Sequence, residues 1–163
     1  LHTSDHSRAS PGVARFLAGP EDTSALGADL ARCLEPGLVI FLSGELGAGK
    51  TTLVRGLLQA LGHSGPVKSP SYALVELYKL SRLYLYHFDF YRFNNPAELG
   101  EAGFREYFTP DAVCVVEWPE KAAGALPAAD LTVTLQAEGS GRMAGIHADT
   151  EAGRACLKRL GTH

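Results

Sequence analysis

Eight residues constrain this chain more than any others. Gly44-Glu45-Leu46-Gly47-Ala48-Gly49-Lys50-Thr51 follows the apolar run Leu38-Val39-Ile40-Phe41-Leu42 and opens a helix-patterned stretch. An uninterrupted apolar run of strand length predicts a strand buried on both faces, as in a parallel sheet covered by helices. The spacing GxxxxGK[ST] then gives a turn whose glycines let backbone N–H groups face inward around a polyphosphate. The helix that follows turns its positive end toward the same point.

Side-chain chemistry fits that backbone. Lys50 is placed to reach the β- and γ-phosphates, and the Thr51 hydroxyl suits Mg²⁺, which keeps waters and phosphate oxygens as ligands. The expectation is ATP with Mg²⁺, held by Gly44, Gly47, Ala48, Gly49, Lys50, Thr51 and Thr52. Such a site also needs a carboxylate at the end of a neighbouring strand. Glu117 closes Val113-Cys114-Val115-Val116, and Asp89 closes Leu83-Tyr84-Leu85-Tyr86-His87-Phe88. Glu117 follows the purer apolar strand and is the first choice for the metal. His87 reads as a packed, hydrogen-bonded residue. Trp118, the only tryptophan, reads either as core or as a ring near the nucleotide.

The remaining pattern predicts an α/β chain. Residues 1–11 form a polar tail, and residues 12–163 one nucleotide-binding domain, as expected for 163 residues. Val13–Leu17 is a strand, and Glu21-Asp22-Thr23-Ser24 supplies cap chemistry for a helix whose face is Leu26, Leu30, Cys33 and Leu34. A second helix runs over Thr51–Leu61 with Leu53, Leu57, Leu58 and Leu61 as its stripe. Tyr72–Leu80 and Arg82–Phe90 read as a hairpin, and Asn94–Glu101 as a helix with a further turn in Gly103–Phe108. Ala112–Glu117 is a strand, and Pro119–Ala123 a short helix. Leu131–Leu135 pairs with Arg142–Ala148, and Thr150–Leu160 is the last helix. The sum is a three-layer P-loop NTPase fold with a mixed, mostly parallel sheet and an antiparallel part.

Composition removes several function classes. With 15 Lys+Arg against 18 Asp+Glu, the net charge of -3 gives no field for capturing bare nucleic acid, so an RNA role is local or borrowed from a partner. No apolar run approaches the ~20 residues that a membrane span needs. Cys33, Cys114 and Cys156 form no CxxC pair, and no signal-peptide-like apolar segment opens the chain. A reducing, cytoplasmic setting is therefore expected.

Four segments together carry a family resemblance. Gly44–Thr52, Val67-Lys68-Ser69-Pro70-Ser71-Tyr72, His87-Phe88-Asp89-Phe90-Tyr91-Arg92 and Val116-Glu117-Trp118-Pro119-Glu120 resemble, in order and spacing, the TsaE family of bacterial ATPases. That family serves tRNA threonylcarbamoyladenosine biosynthesis. The resemblance covers roughly residues 13–148 and implies weak intrinsic ATP hydrolysis and assembly with TsaB and TsaD, tRNA being met only through the complex. It implies Thr51 and Glu117 at Mg²⁺, Gly47–Thr52 on the phosphates, and Asp89 near the γ-phosphate or its water. It also implies Ser69 and Ser71 in a switch-like loop, and Arg142 near the nucleotide. Ser71 stands where the family usually carries threonine; the hydroxyl is kept and the methyl lost. Lys50, Asp89 and Glu117 are the expected catalytic set. Two other function classes compete: a small-molecule kinase, which would need an arginine-rich lid that the sequence does not display, and a nucleotide-gated interaction module with negligible turnover.

Overall fold

The computed structural model describes residues 12–70, 73–93 and 103–161. The proposed tail, Ser71 and the expected helix over Asn94–Glu101 lie outside the described residues.

Seven strands form one sheet: β1 (Gly12–Leu17), β2 (Val39–Gly44), β3 (Val75–Lys79), β4 (Tyr84–Asp89), β5 (Ala112–Glu117), β6 (Leu131–Glu138) and β7 (Gly141–Ala148). Their spatial order is β1-β7-β6-β2-β5-β4-β3. The central strands β6, β2, β5 and β4 run parallel, while β1, β7 and β3 pair antiparallel at the two edges. This is the expected mixed sheet. Its parallel centre needs cover on both faces, and β5 is buried along its whole length.

One face is covered by three α-helices: α1 (Pro20–Cys33), α2 (Lys50–Ala60) and α3 (Glu151–Gly161). Leu26, Leu30, Leu53 and Leu57 from α1 and α2 pack with Ile40, Leu42, Val113 and Val115 from the sheet. The other face carries Phe88, Phe90, Phe104, Cys114 and Val116. Among the described residues it is covered by 3-10 turns at Phe104–Tyr107 and Pro119–Ala122. Phe88 stacks on Phe108 at 5.1 Å and meets Phe104 edge-on at 6.1 Å. The layers are thus helices, sheet and an aromatic layer.

Several boundaries differ from the sequence expectation, each for a local reason. Helix α1 starts at Pro20, with Gly19 as its cap, because proline suits the first helical turn. Asp22, expected in the cap itself, reaches back and accepts the Ala18 N–H at 2.9 Å. The hairpin strands are shorter than Tyr72–Leu80 and Arg82–Phe90. Leu74 turns at φ 68, and the Leu80 N–H donates to the Leu83 carbonyl at 3.1 Å, making a longer turn. β6 instead extends to Glu138. Thr150 caps α3, its Oγ1 accepting the Gly153 N–H at 3.0 Å and donating to Asp130 at 2.6 Å. Among the described residues no helix is long and apolar enough to cross a membrane.

Candidate functional site

Parallel strands end together, so a sheet of this kind gathers the residues just beyond its carboxyl ends. Here β2 runs into the glycine-rich loop, and β4 and β5 end in Asp89 and Glu117, which lie opposite each other in register. Leu42 of β2 pairs with Glu117 in the ladder on the other side of β5. Residues far apart in sequence therefore meet beside the loop. Side chains alternate along a strand, so Asp89 and Glu117 point to the helix-covered face, with Leu85, Val113 and Val115 below them.

A cavity of about 430 Å³ lies there. Gly47, Gly49, Lys50, Thr51 and Thr52 line it from the loop and the first turn of α2. Asp89, Glu117 and Trp118 line it from the strand ends, and Ser69 from the loop before β3. Gly47 and Gly49 take φ 79 and 104, a left-handed conformation that costs glycine little. Gly49 is the cap residue of α2, so the helix N-terminus opens onto the cavity.

The charges in the cavity are buried and tethered. Lys50 is 5% exposed, Asp89 7% and Glu117 2%. Burial lowers the Lys50 pKa from its usual value; Glu117, Asp89 and Glu120 oppose that shift. The Lys50 ammonium donates to the Gly44 carbonyl and sits 3.8 Å from the centre of the Trp118 ring. Cation–π contacts of this kind are worth about 0.5–2 kcal/mol. Trp118 reaches that position from a left-handed backbone, φ 58 and ψ 49, which for such a residue costs roughly 1–3 kcal/mol. It also packs on Tyr91 at 5.0 Å. The Ser69 hydroxyl donates to Asp89 Oδ2, and the Tyr91 N–H donates to Asp89 Oδ1 at 2.9 Å.

Two of the predicted residues stand apart from this cavity and one beneath it. Ala48 and Arg142 line a second cavity of about 200 Å³ across the loop, which shares Gly47, Gly49 and Thr52 with the first. Arg142 grips the loop from outside, its Nε donating to Ala48 O at 3.2 Å and its Nη2 to Gly47 O at 3.1 Å. Gly44 lies below Lys50 as its carbonyl partner.

Three lining residues escaped the sequence reading: Arg92, Tyr91 and the exposed Leu46. His87 is packed and hydrogen-bonded as expected, and its partner is Glu117 at 2.6 Å. For Arg92 a signal existed: it lies just past the β4 carboxylate. Among the described residues no three His, Cys, Asp or Glu side chains gather into a metal cage. The cavity instead offers a hydroxyl and two carboxylates beside a phosphate-shaped loop. That donor set fits Mg²⁺, which takes one or two protein oxygens and draws the rest from phosphate and water.

A family model described as "Threonylcarbamoyl adenosine biosynthesis protein TsaE" matches residues 17–144. The chain belongs to the TsaE family. It is 47% identical to the tRNA threonylcarbamoyladenosine biosynthesis protein TsaE of Haemophilus influenzae over 120 residues, which are 74% of this chain and 76% of that protein. It is 38% identical to the Bacillus subtilis protein of the same name, over 74% and 75% of the two chains. The crystal structure of YdiB from Bacillus subtilis superposes with a TM-score of 0.82 at 30% identity, covering 94% of this chain and 97% of that one. The TsaE family works in tRNA threonylcarbamoyladenosine biosynthesis, and the fold is of the P-loop NTPase type.

Proposed function

We propose that this TsaE-family protein binds ATP with Mg²⁺ in the larger cavity, hydrolyses it slowly by itself, and acts with TsaB and TsaD in modifying tRNA. The observation that carries the reading is the convergence of the loop, Lys50, Thr51, Asp89 and Glu117 at the carboxyl ends of β2, β4 and β5. Gly47 through Thr52 hold the phosphates through backbone N–H groups, and Lys50 exchanges its carbonyl and ring contacts for β- and γ-phosphate oxygens. The nucleoside extends across the loop toward the second cavity and Arg142. Thr51 and Glu117 hold the metal, which neutralises charge developing on the phosphates. Asp89 orients the attacking water.

Nucleotide binding must first release Lys50 from the Gly44 carbonyl and the Trp118 ring, a cost set against the phosphate contacts that replace them. Ser69 ties the loop before β3 to Asp89, which makes that loop a natural reporter of the nucleotide state. A partner preferring one loop shape is recruited or released by the nucleotide. The three cysteines are buried and free, in keeping with a cytoplasmic protein.

The test compares ATP hydrolysis by the protein alone with hydrolysis in the presence of TsaB, TsaD and tRNA, and follows threonylcarbamoyladenosine over many turnovers. The expected result is slow release of phosphate to water that rises in the complex, with multiple turnover dependent on this protein. Phosphate retained on a metabolite would make it a kinase. Multiple turnover unaffected by omitting the protein would refute the role.

A further inference from the structure

We propose that His87 is a positioning residue that holds one oxygen of Glu117, so that the other is presented to the metal side of the cavity. This rests on the reading of Glu117 as the metal carboxylate. In the parallel ladder His87 lies opposite Val115, and Asp89 opposite Glu117. His87 and Glu117 are therefore diagonal neighbours on one face, a separation that long side chains bridge. The imidazole is 0% exposed, and its Nε2 is 2.6 Å from Glu117 Oε2. That is slightly shorter than the ~2.7–2.9 Å usual for charge-assisted N–H···O bonds.

The other ring nitrogen decides what His87 does. Nδ1 is buried and has no hydrogen-bond partner among the described residues. With Nε2 donating to Glu117 Oε2, the ring has one hydrogen bond among the described residues and directs it at the site. A leucine would fill the space but would strand the buried Glu117 Oε2, whose partner is His87. The structure keeps a half-satisfied ring where its single hydrogen bond reaches the site.

The consequence concerns Lys50. Both carboxylates attract it. A glutamate free to rotate would close on the ammonium and fill the phosphate position with an internal ion pair. Instead, Ser69 holds Asp89 Oδ2 and His87 holds Glu117 Oε2. Lys50 is left to the Gly44 carbonyl and the Trp118 ring, both exchangeable for phosphate.

The test is ADP binding by calorimetry, with Mg²⁺ and with EDTA, for the wild type, His87→Leu and His87→Gln. Hydrogen-bond partners of metal ligands typically contribute roughly 10–100-fold to metal affinity. The gain in ADP affinity conferred by Mg²⁺ should fall about 10-fold in His87→Leu and largely return in His87→Gln, whose amide N–H replaces the Nε2 donor. Binding in EDTA should stay within about 3-fold of wild type. In parallel, a slowly exchanging downfield imidazole N–H proton should be seen by NMR and be lost in Glu117→Ala. That measurement decides the matter should His87→Leu fail to fold. Equal Mg²⁺ gains in wild type and His87→Leu, or a proton signal indifferent to Glu117→Ala, would overturn the role of His87 alone. No Mg²⁺ gain even in wild type would overturn the metal reading of the cavity and this role with it.

Discussion

Helices α1 and α2 cross with their backbones in contact, and two glycines make that possible. A Cβ on Gly56 would lie 2.2 Å from the Ser24 carbonyl oxygen and 2.7 Å from Ser24 Oγ. A Cβ on Gly27 would lie 2.2 Å from the Leu53 carbonyl oxygen. Ordinary carbon–oxygen contacts begin at about 3.3 Å, so either alanine demands a backbone shift of about 1 Å. Two effects oppose each other in Gly56→Ala. Helix propensity favours alanine by about 1 kcal/mol. Overpacking costs about 1–3 kcal/mol, and a clash with backbone rather than a flexible side chain belongs at the upper end. The net loss is about 2 kcal/mol, or a fall of about 4–8 °C in Tm for a chain of this size. Because α2 begins with Lys50 and Thr51, the same shift should weaken nucleotide binding. Thermal melts and calorimetric titrations of Gly56→Ala test this, with Gly161→Ala as the control, since nothing lies within 4 Å of its Cβ position. The double variant Gly27→Ala/Gly56→Ala should lose less than the sum of its parts, one displacement relieving both clashes. A Gly56→Ala protein melting at or above wild type would refute the close-crossing argument.

Lys50→Met should lower nucleotide affinity roughly 10–100-fold, the value of a charge-assisted contact of about 1.5–3 kcal/mol, without lowering Tm. The sign follows from burial, which lowers the Lys50 pKa below its usual 10.5. The charged lysine costs folding stability at neutral pH, and that cost fades as pH rises through the lowered value toward 10.5. A clear loss of Tm at pH 7 with intact affinity would contradict both halves. Trp118 emission should change saturably on adding ADP with Mg²⁺, because Lys50 leaves the ring, and should stay flat in Lys50→Met; a flat wild-type titration alongside calorimetric binding would place the ring's response elsewhere. Burial pushes the Cys114 and Cys156 thiols up to about 12, so a colorimetric thiol reagent at pH 8 should modify them only on unfolding. Rapid modification of the native protein would show that these thiols are not enclosed.

The local features of the site were legible in the amino-acid order. The apolar run before the loop, the glycines and Lys50-Thr51 each act through their nearest neighbours, and the structure puts strand, loop and helix where that pattern demands. The stripe Leu26, Leu30, Cys33 and Leu34 is buried, because a 3.6-residue period leaves no other face for it. Strand-terminal Asp89 and Glu117 were also legible, since each closes an apolar run. Element ends were less so. Pro20 outcompeted the acidic cap at the start of α1, and the hairpin turn consumed residues that read as strand.

Pairings were decided only by the tertiary structure. Nothing local says that β4 lies beside β5 in the register that sets Asp89 across from Glu117, or that His87 falls on the diagonal to that glutamate. Ser69 meets Asp89 across 20 residues, and Arg142 reaches the Ala48 carbonyl across 94. A strand's sequence fixes which side chains share a face, but its partner and register depend on how all the buried faces close together. The amino-acid sequence therefore determined which groups are available to the cavity. The packed sheet determined which of them hold one another in place.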